Sequence, residues 1–162
     1  MKPKDLLEAD STKGTFVGIY FDVDTNKNIE EYIKANKIPN PILTEELHCT
    51  LIYGLKHLPN FKPLGKISGG VKYTIAQLEI LKSRPDDYGK TSNVLVAKIN
   101  SDFLVDRHNE IINEHDAMHD FDEYKPHFTL SYSVGDLDIS ELPSPNFGIT
   151  IDEEYSQDLD LN

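Results

Sequence analysis

Residues 48 to 53 read His-Cys-Thr-Leu-Ile-Tyr and residues 127 to 132 read His-Phe-Thr-Leu-Ser-Tyr. Both fit the pattern H-x-T-L-x-Y. Chance would produce two copies of so long a pattern on the order of once in a million chains of this composition. Each copy is rich in β-branched and aromatic residues, as strands are. Side chains alternate across a strand, so His48 and Thr50 share one face while Cys49 and Leu51 point to the other. His127 and Thr129 likewise stand opposite Phe128 and Leu130. Each copy therefore offers a polar, cleft-forming face and an apolar, core-forming one.

Working outward, residues 15 to 22 (TFVGIYFD) predict a strand with one close-packed or bulged point at Gly18. Thr25 is the expected N-cap of a helix in which Ile29, Tyr32 and Ile33 recur at helical spacing, and Pro39 and Pro41 stop it. The prolines and glycine of KHLPNFKPLGK predict a loop. VKYTIAQLEIL and SNVLVAKIN follow as strands joined by the turn RPDDYGKTS. Ser101 caps a second helix carrying Phe103, Leu104, Ile111 and Ile112 on one face. After the second H-x-T strand a last strand is expected in FGITIDEEY, with a solvated acidic end. The resulting order, β-α-β-β-β-α-β-β, predicts an α+β fold of two similar lobes, each a helix on a small sheet, rather than a doubly wound parallel sheet.

Sixteen Lys and Arg against 28 Asp and Glu give a formal charge of −12 over 162 residues. That balance argues against gripping long nucleic acid, whose affinity comes from clustered cations, but leaves a small ligand possible. One cysteine cannot form an internal disulfide, and no apolar run approaches the ~20 residues of a membrane span, so a soluble protein of a reducing compartment is expected. No linker divides the chain. A single domain is expected over residues 13–157, with a flexible segment at 1–12 and an acidic tail at 158–162.

Two His-Thr pairs brought together suit phosphodiester chemistry. One imidazole can take a proton from the attacking hydroxyl while the other protonates the departing oxygen, and a pKa near ~6.5 lets both states be populated around neutrality. Each threonine adds a stiff, β-branched hydroxyl donor for a phosphate oxygen. No metal or other cofactor is required. Cys49, opposite His48, is expected to be a buried small hydrophobe and not a nucleophile.

The paired H-x-T strands, about 80 residues apart, resemble the 2H phosphoesterase superfamily. Within it, KGTFVGIYFD, IPNPILTEELHCTLIYG and YKPHFTLSYS are most similar to the phage anti-CBASS nucleases, from Lys13 onward. The resemblance implies a bilobal 2H fold, two sheet-plus-helix lobes around a central cleft carrying the two H-x-T strands. It implies a metal-independent phosphodiesterase acting in the host cytoplasm on cyclic di- and trinucleotide immune messengers, with no obligate protein partner. It places His48, Thr50, His127 and Thr129 on the catalytic tetrad. It also implies aromatic side chains that stack on bases and an acidic residue near the C-terminus that reads a base edge. Those roles fall to Phe16, or Tyr20 in its place, and to Glu154, with Glu153 competing. The chain has no Trp, and Tyr88 stands as a replacement for a stacking tryptophan.

Two other readings keep the same residues: a 2H enzyme acting on 2′,3′-cyclic phosphates or 2′,5′-oligoadenylates, and a non-catalytic protein that sequesters a cyclic nucleotide. His115 and His119 stand at i, i+4 as zinc ligands do, but without the usual glutamate or an evident third ligand, so a metal site is not expected there. His57 and His108 are expected at the surface, and Lys125 is read as a surface lysine that could help hold a phosphate.

Overall fold

The computed structural model describes residues 13–115 and 123–160. In chain order these form β1 (Lys13–Phe21), α1 (Val23–Ala35), β2 (Cys49–Gly54), β3 (Gly65–Lys82), β4 (Asn93–Asn100), α2 (Asp102–His115), β5 (His127–Ser131) and β6 (Gly148–Asp160), with single 3-10 turns at Thr44–Glu46 and Ile139–Glu141. The order is β-α-β-β twice over, as the sequence predicts. Among the described helices none is long and apolar enough to cross a membrane.

The six strands are antiparallel and close into a ring in the order β1-β2-β5-β4-β3-β6. The two expected lobes are thus two three-stranded halves, β6-β1-β2 and β5-β4-β3, joined along both edges. One join is β3 against β6; the other is β2 against β5, held by the single pair Cys49–Phe128. The two H-x-T strands meet at that seam.

One face of the ring carries the core. Val17, Ile19, Phe21, Cys49, Leu51, Leu95, Ala97, Phe128, Leu130, Ile149 and Ile151 are buried with Ile29 and Ile33 of α1 and Leu104 and Ile111 of α2. Burying such side chains contributes about 1.5–3 kcal/mol each, which is what binds helices to sheet. The opposite face keeps His48, Thr50, His127 and Thr129 half-buried.

Four expectations change. Asp22, not Thr25, caps α1 by accepting from the Thr25 N–H at 2.8 Å; the Thr25 hydroxyl instead accepts from the Thr150 N–H and ties the helix to β6. Strand β3 begins at Gly65, inside the expected loop, because Gly69 and Gly70 adopt positive φ and let the chain bulge by several residues against β6 without leaving the sheet. The acidic end is strand as far as Asp160, since Asp158, Leu159 and Asp160 pair with Thr15, Gly14 and Lys13. His108 is buried, 3% exposed, not solvated. Ser101 does cap α2, its hydroxyl accepting from the Leu104 N–H at 3.0 Å. The expected flexible segment 1–12 and His119 lie outside the described residues.

Candidate active site

The Cys49–Phe128 pair is the centre of the site. An approximate twofold axis through it carries β2 onto β5, superposing His48 on His127 and Thr50 on Thr129. The antiparallel register sets Thr50 beside His127 and His48 beside Thr129, so the four side chains form a square on the cleft face. Cys49 and Phe128 anchor that square from the core face, at 0% and 1% exposure.

The leucine of each motif explains why the square ends where it does. On β2, Thr50 pairs with Gly18 and Ile52 with Val17, leaving Leu51 as an extra residue. On β5, Thr129 pairs with Val96 and Ser131 with Leu95, leaving Leu130 extra. Both leucines are β-bulges and both are buried. A bulge shifts the phase of alternation, so each strand presents His and Thr to the cleft and then turns apolar residues inward. The carbonyls around the first bulge are satisfied from the second half: the Tyr124 hydroxyl donates to Thr50 O and His108 Nδ1 to Leu51 O, both at 2.7 Å, with the two rings stacked at 4.2 Å.

The imidazoles are oriented alike. His48 Nδ1 lies 2.8 Å from Glu46 O, and His127 Nδ1 lies 2.9 Å from Lys125 O. A carbonyl only accepts, so each Nδ1 carries the proton and each neutral ring keeps its lone pair on Nε2. Two equivalent nitrogens able to accept or, once protonated, to donate are thereby fixed on one face.

The surroundings of the two histidines differ. Phe16 is 7% exposed yet outside the core cluster; its ring meets His48 edge-on at 5.7 Å, Tyr53 at 6.5 Å and Tyr155 at 5.9 Å. Tyr20 stacks on Tyr155 at 4.0 Å. Gly18 makes this assembly possible, because a Cβ there would lie 2.6 Å from the Tyr155 hydroxyl oxygen and 2.7 Å from Phe16. On the His127 side, Lys98 pairs directly with His127 across β4 and β5, and its ammonium forms an ion pair with Glu79 of β3. Lys98 and Glu79 occupy the positions that Tyr20 and Tyr155 hold in the other half. A stacked tyrosine pair thus faces a Lys-Glu pair across the square.

Of the residues singled out from sequence, His48, Thr50, His127, Thr129, Phe16 and Tyr20 come together on one face. Glu154 does not join them. It points to the helix face, its side chain fully buried, with Oε1 and Oε2 each 2.8 Å from Arg107 of α2 and Oε2 also accepting from the Leu64 N–H. The alternation of β6 sends Tyr155 to the cleft and Glu154 away from it. Glu153, its competitor, stands opposite Tyr20 with Lys66 3.7 Å away. Tyr88 is 89% exposed at the tip of the β3–β4 turn and forms no part of the cleft floor. Tyr53, Tyr155, Lys98 and Glu79 were not anticipated; Tyr53 is the last letter of the repeated motif, the one signal that was available.

Cys49 is buried, and desolvation pushes its thiol up to about 11, as expected of an inert cysteine. His115 packs edge-on against Phe61, and among the described residues no three His, Cys, Asp or Glu side chains are grouped as a metal site requires. Lys125 is exposed, 3.9 Å from Glu123, at the rim of the cleft.

This architecture, two three-stranded halves whose H-x-T strands pair at the seam, defines the class as the 2H phosphoesterase fold. Solved structures agree. A crystal structure of a phosphoesterase matches with a TM-score of 0.56 at 13% identity, covering 90% of this chain and 87% of that one. The crystal structure of E. coli LigT complexed with NADP+ matches at 0.54 and 14% identity, covering 90% and 86%. The chain belongs to the anti-CBASS protein Acb1 family, whose model matches residues 13–162. It is similar to the anti-CBASS protein Acb1 of Salmonella phage S16, 31% identical over 153 residues (94% of this chain, 93% of the relative). The corresponding proteins of Enterobacteria phage T4 and Escherichia phage RB16 are 30% and 32% identical, covering 94% and 92% of this chain and 93% and 82% of theirs.

Proposed function

We propose that this protein is a metal-independent phosphodiesterase that opens 3′,5′-linked cyclic di- and trinucleotide immune messengers in the cytoplasm of an infected host, and so evades CBASS defence. The observation that carries this reading is the square of His48, Thr50, His127 and Thr129 about the Cys49–Phe128 pair, with both Nδ1 atoms committed to carbonyls. Membership of the anti-CBASS family supports the substrate class.

In the proposed reaction one Nε2 takes the proton of the 2′-hydroxyl as that oxygen attacks the adjacent phosphorus. The P–O5′ bond breaks in line, and the other imidazolium gives its proton to the departing O5′. The ring opens to a linear product ending in a 2′,3′-cyclic phosphate, and the proton count balances. Water as nucleophile would give a product heavier by one water. Thr50 and Thr129 donate to the non-bridging oxygens, where preorganised donors stabilise developing charge. Tyr20 and Tyr53, both exposed, offer ring faces on which bases stack, a sequence-tolerant contact worth about 1–3 kcal/mol per base, while buried Phe16 packs behind them against His48 and Tyr155. A compact messenger needs few cations, which is compatible with the charge of −12.

The test is incubation with 3′,3′-cyclic GMP-AMP and cyclic triadenylate in EDTA, with products identified by mass spectrometry. Linear products are expected from the wild type. Each of His48→Ala and His127→Ala should lower the rate by about 10²–10⁴ while the protein stays folded. Near-normal turnover by either variant refutes the two-histidine reading. Intact messengers alongside cleaved 2′,3′-cyclic phosphates or 2′,5′-oligoadenylates refute the substrate class, and messengers bound but recovered whole indicate a sponge.

A further inference from the structure

The seam between the two halves is closed differently at its two ends. Beyond the single Cys49–Phe128 pair, the chain leading into β2 reaches the end of β5 by backbone: the Ile42 N–H donates to Leu130 O at 2.9 Å, and Pro41 bridges Ser131. At the end of β2 the matching carbonyl, Leu51 O, and its neighbour Thr50 O take their donors from side chains, His108 Nδ1 and the Tyr124 hydroxyl, each at 2.7 Å. Tyr124 stands three positions before His127. The approximate twofold that relates the motifs puts Glu45 at the matching place before His48, an exposed acceptor where Tyr124 is a half-buried donor. Among the described residues the clamp is therefore one-sided.

On the phosphodiesterase reading above, we infer that Tyr124 is a positioning residue for His127: its hydroxyl ties the segment that orients that imidazole to the strand that carries Thr50. Tyr124 is held to β2 at Thr50 O, and Pro126 O is held to β4 by the Ile99 N–H at 2.9 Å. Between them lies Lys125, whose carbonyl accepts from His127 Nδ1. The Lys125 peptide is thus fixed from both strands that flank β5. Releasing the Tyr124 end lets that carbonyl turn, and with it goes the bond that keeps the proton on Nδ1 and the lone pair on Nε2. The phenol suits a fixed tie. Its ring stacks on His108 at 4.2 Å, and burial raises its pKa, so it stays a protonated donor. The hydroxyl meets Thr50 O and, at 3.8 Å, Cys49 Sγ, and so acts on the reaction only through the residues it places. His48 is held by other means: its acceptor, Glu46 O, ends the 3-10 turn Thr44–Glu46, which the Thr44 hydroxyl anchors by donating to Glu30 of α1.

The test is steady-state kinetics with 3′,3′-cyclic GMP-AMP, together with nitrogen-15 spectra of the imidazoles at a pH where they are neutral, for the wild type, Tyr124→Phe and Gly14→Ala. Phenylalanine keeps the ring and its stack on His108 and removes only the hydroxyl. Gly14→Ala is destabilised at the β1–β2 contact and controls for lost stability. Wild-type His48 and His127 should both show the Nδ1–H tautomer. In Tyr124→Phe, kcat should fall about ten- to a hundredfold at unchanged KM, the loss that a misplaced catalytic group brings. His127 alone should become a mixture of tautomers. Gly14→Ala should keep kcat per folded molecule and both spectra. His127 resonances identical to the wild type in Tyr124→Phe overturn the inference whatever the rate, and so does an equal change at His127 in Gly14→Ala. The spectra need no turnover. A His127 change confined to Tyr124→Phe in a protein that opens no ring supports the positioning role and refutes the phosphodiesterase reading, and ring opening with His127 unmoved does the reverse.

Discussion

Replacing Glu154 separates a structural carboxylate from a base-reading one. Its side chain is fully buried and that of Arg107 is 10% exposed, with two contacts of 2.8 Å between them and a third donor from Leu64 N. Glutamine keeps the shape but loses the charge and turns one acceptor into a donor facing those N–H groups. Breaking one side of a buried pair costs about 3–5 kcal/mol. Here Glu110 stays against Arg107, so Glu154→Gln should cost about 2–3 kcal/mol and Glu154→Ala about 3–5. For a domain of this size each kcal/mol lowers the melting temperature by about 2–4 °C, so Glu154→Gln should melt roughly 4–12 °C below the wild type. Removing both charges, as in Arg107→Met with Glu154→Leu, should destabilise less than the sum of the singles, because no buried charge is left alone. Urea unfolding measures the cost, and turnover per folded molecule with guanine and adenine rings measures the function. A Glu154→Gln protein that melts with the wild type but changes its base preference would refute the placement of this carboxylate on the helix face.

Gly18→Ala should cost about 1–3 kcal/mol and lower turnover more than stability explains, because the added Cβ displaces Phe16 and Tyr155 beside His48. Gly14→Ala is the control: its Cβ would meet the Gly54 carbonyl oxygen, a backbone atom that cannot swing aside, so stability should suffer more than in Gly18→Ala while turnover per folded molecule stays. Tyr124→Phe should leave the His108 stack but free the Thr50 carbonyl, costing about 1–3 kcal/mol in urea unfolding. Cys49 predicts a pH dependence. Burial raises its thiol from 9.0 to about 11, so the unfolded chain ionises first, and stability present below about pH 9 is lost as pH rises toward 11, by roughly 2–3 kcal/mol. Buried Tyr124, also pushed upward, adds to the decline; urea midpoints across that range should fall less steeply in Cys49→Ala, and equal slopes would refute the account.

What the sequence made legible was local or repeated. The H-x-T-L echo carries its own evidence of two related strands, and period-two alternation alone places Cys49 and Phe128 on the core face. Ile29 with Tyr32 and Ile33 is as plain a helix stripe as a short segment gives. What escaped was set by partners far along the chain. Lys98 meets His127 and Glu79 only through strand register, and register is a tertiary property. Glu154 and Tyr155 are neighbours sent to opposite faces, and choosing between them needs the phase of β6, which the Asp-Glu-Glu-Tyr run does not reveal. Thr25 lost its cap to Asp22 because both are good N-caps and only the docking of Thr25 on β6 decides.

The near-symmetry of the site poses a problem that its surroundings answer. A proton must leave one oxygen and reach another, so the two histidines need opposite protonation states, yet backbone and tautomer make them equivalent. The asymmetry has to come from the differing surroundings and from how they orient what is bound. On the proposed reading, the Lys98–Glu79 pair beside His127 and the stacked tyrosines beside His48 meet the two nucleotides of a bound ring differently. That orientation determines which 2′-hydroxyl and which O5′ each imidazole meets. A mixed ring such as 3′,3′-cyclic GMP-AMP should then be opened preferentially at one of its two phosphates, and sequencing the linear product by fragmentation mass spectrometry reads out which. Equal cleavage of both linkages would mean that the messenger binds in either direction, and that the Lys-Glu and tyrosine pairs do not orient it.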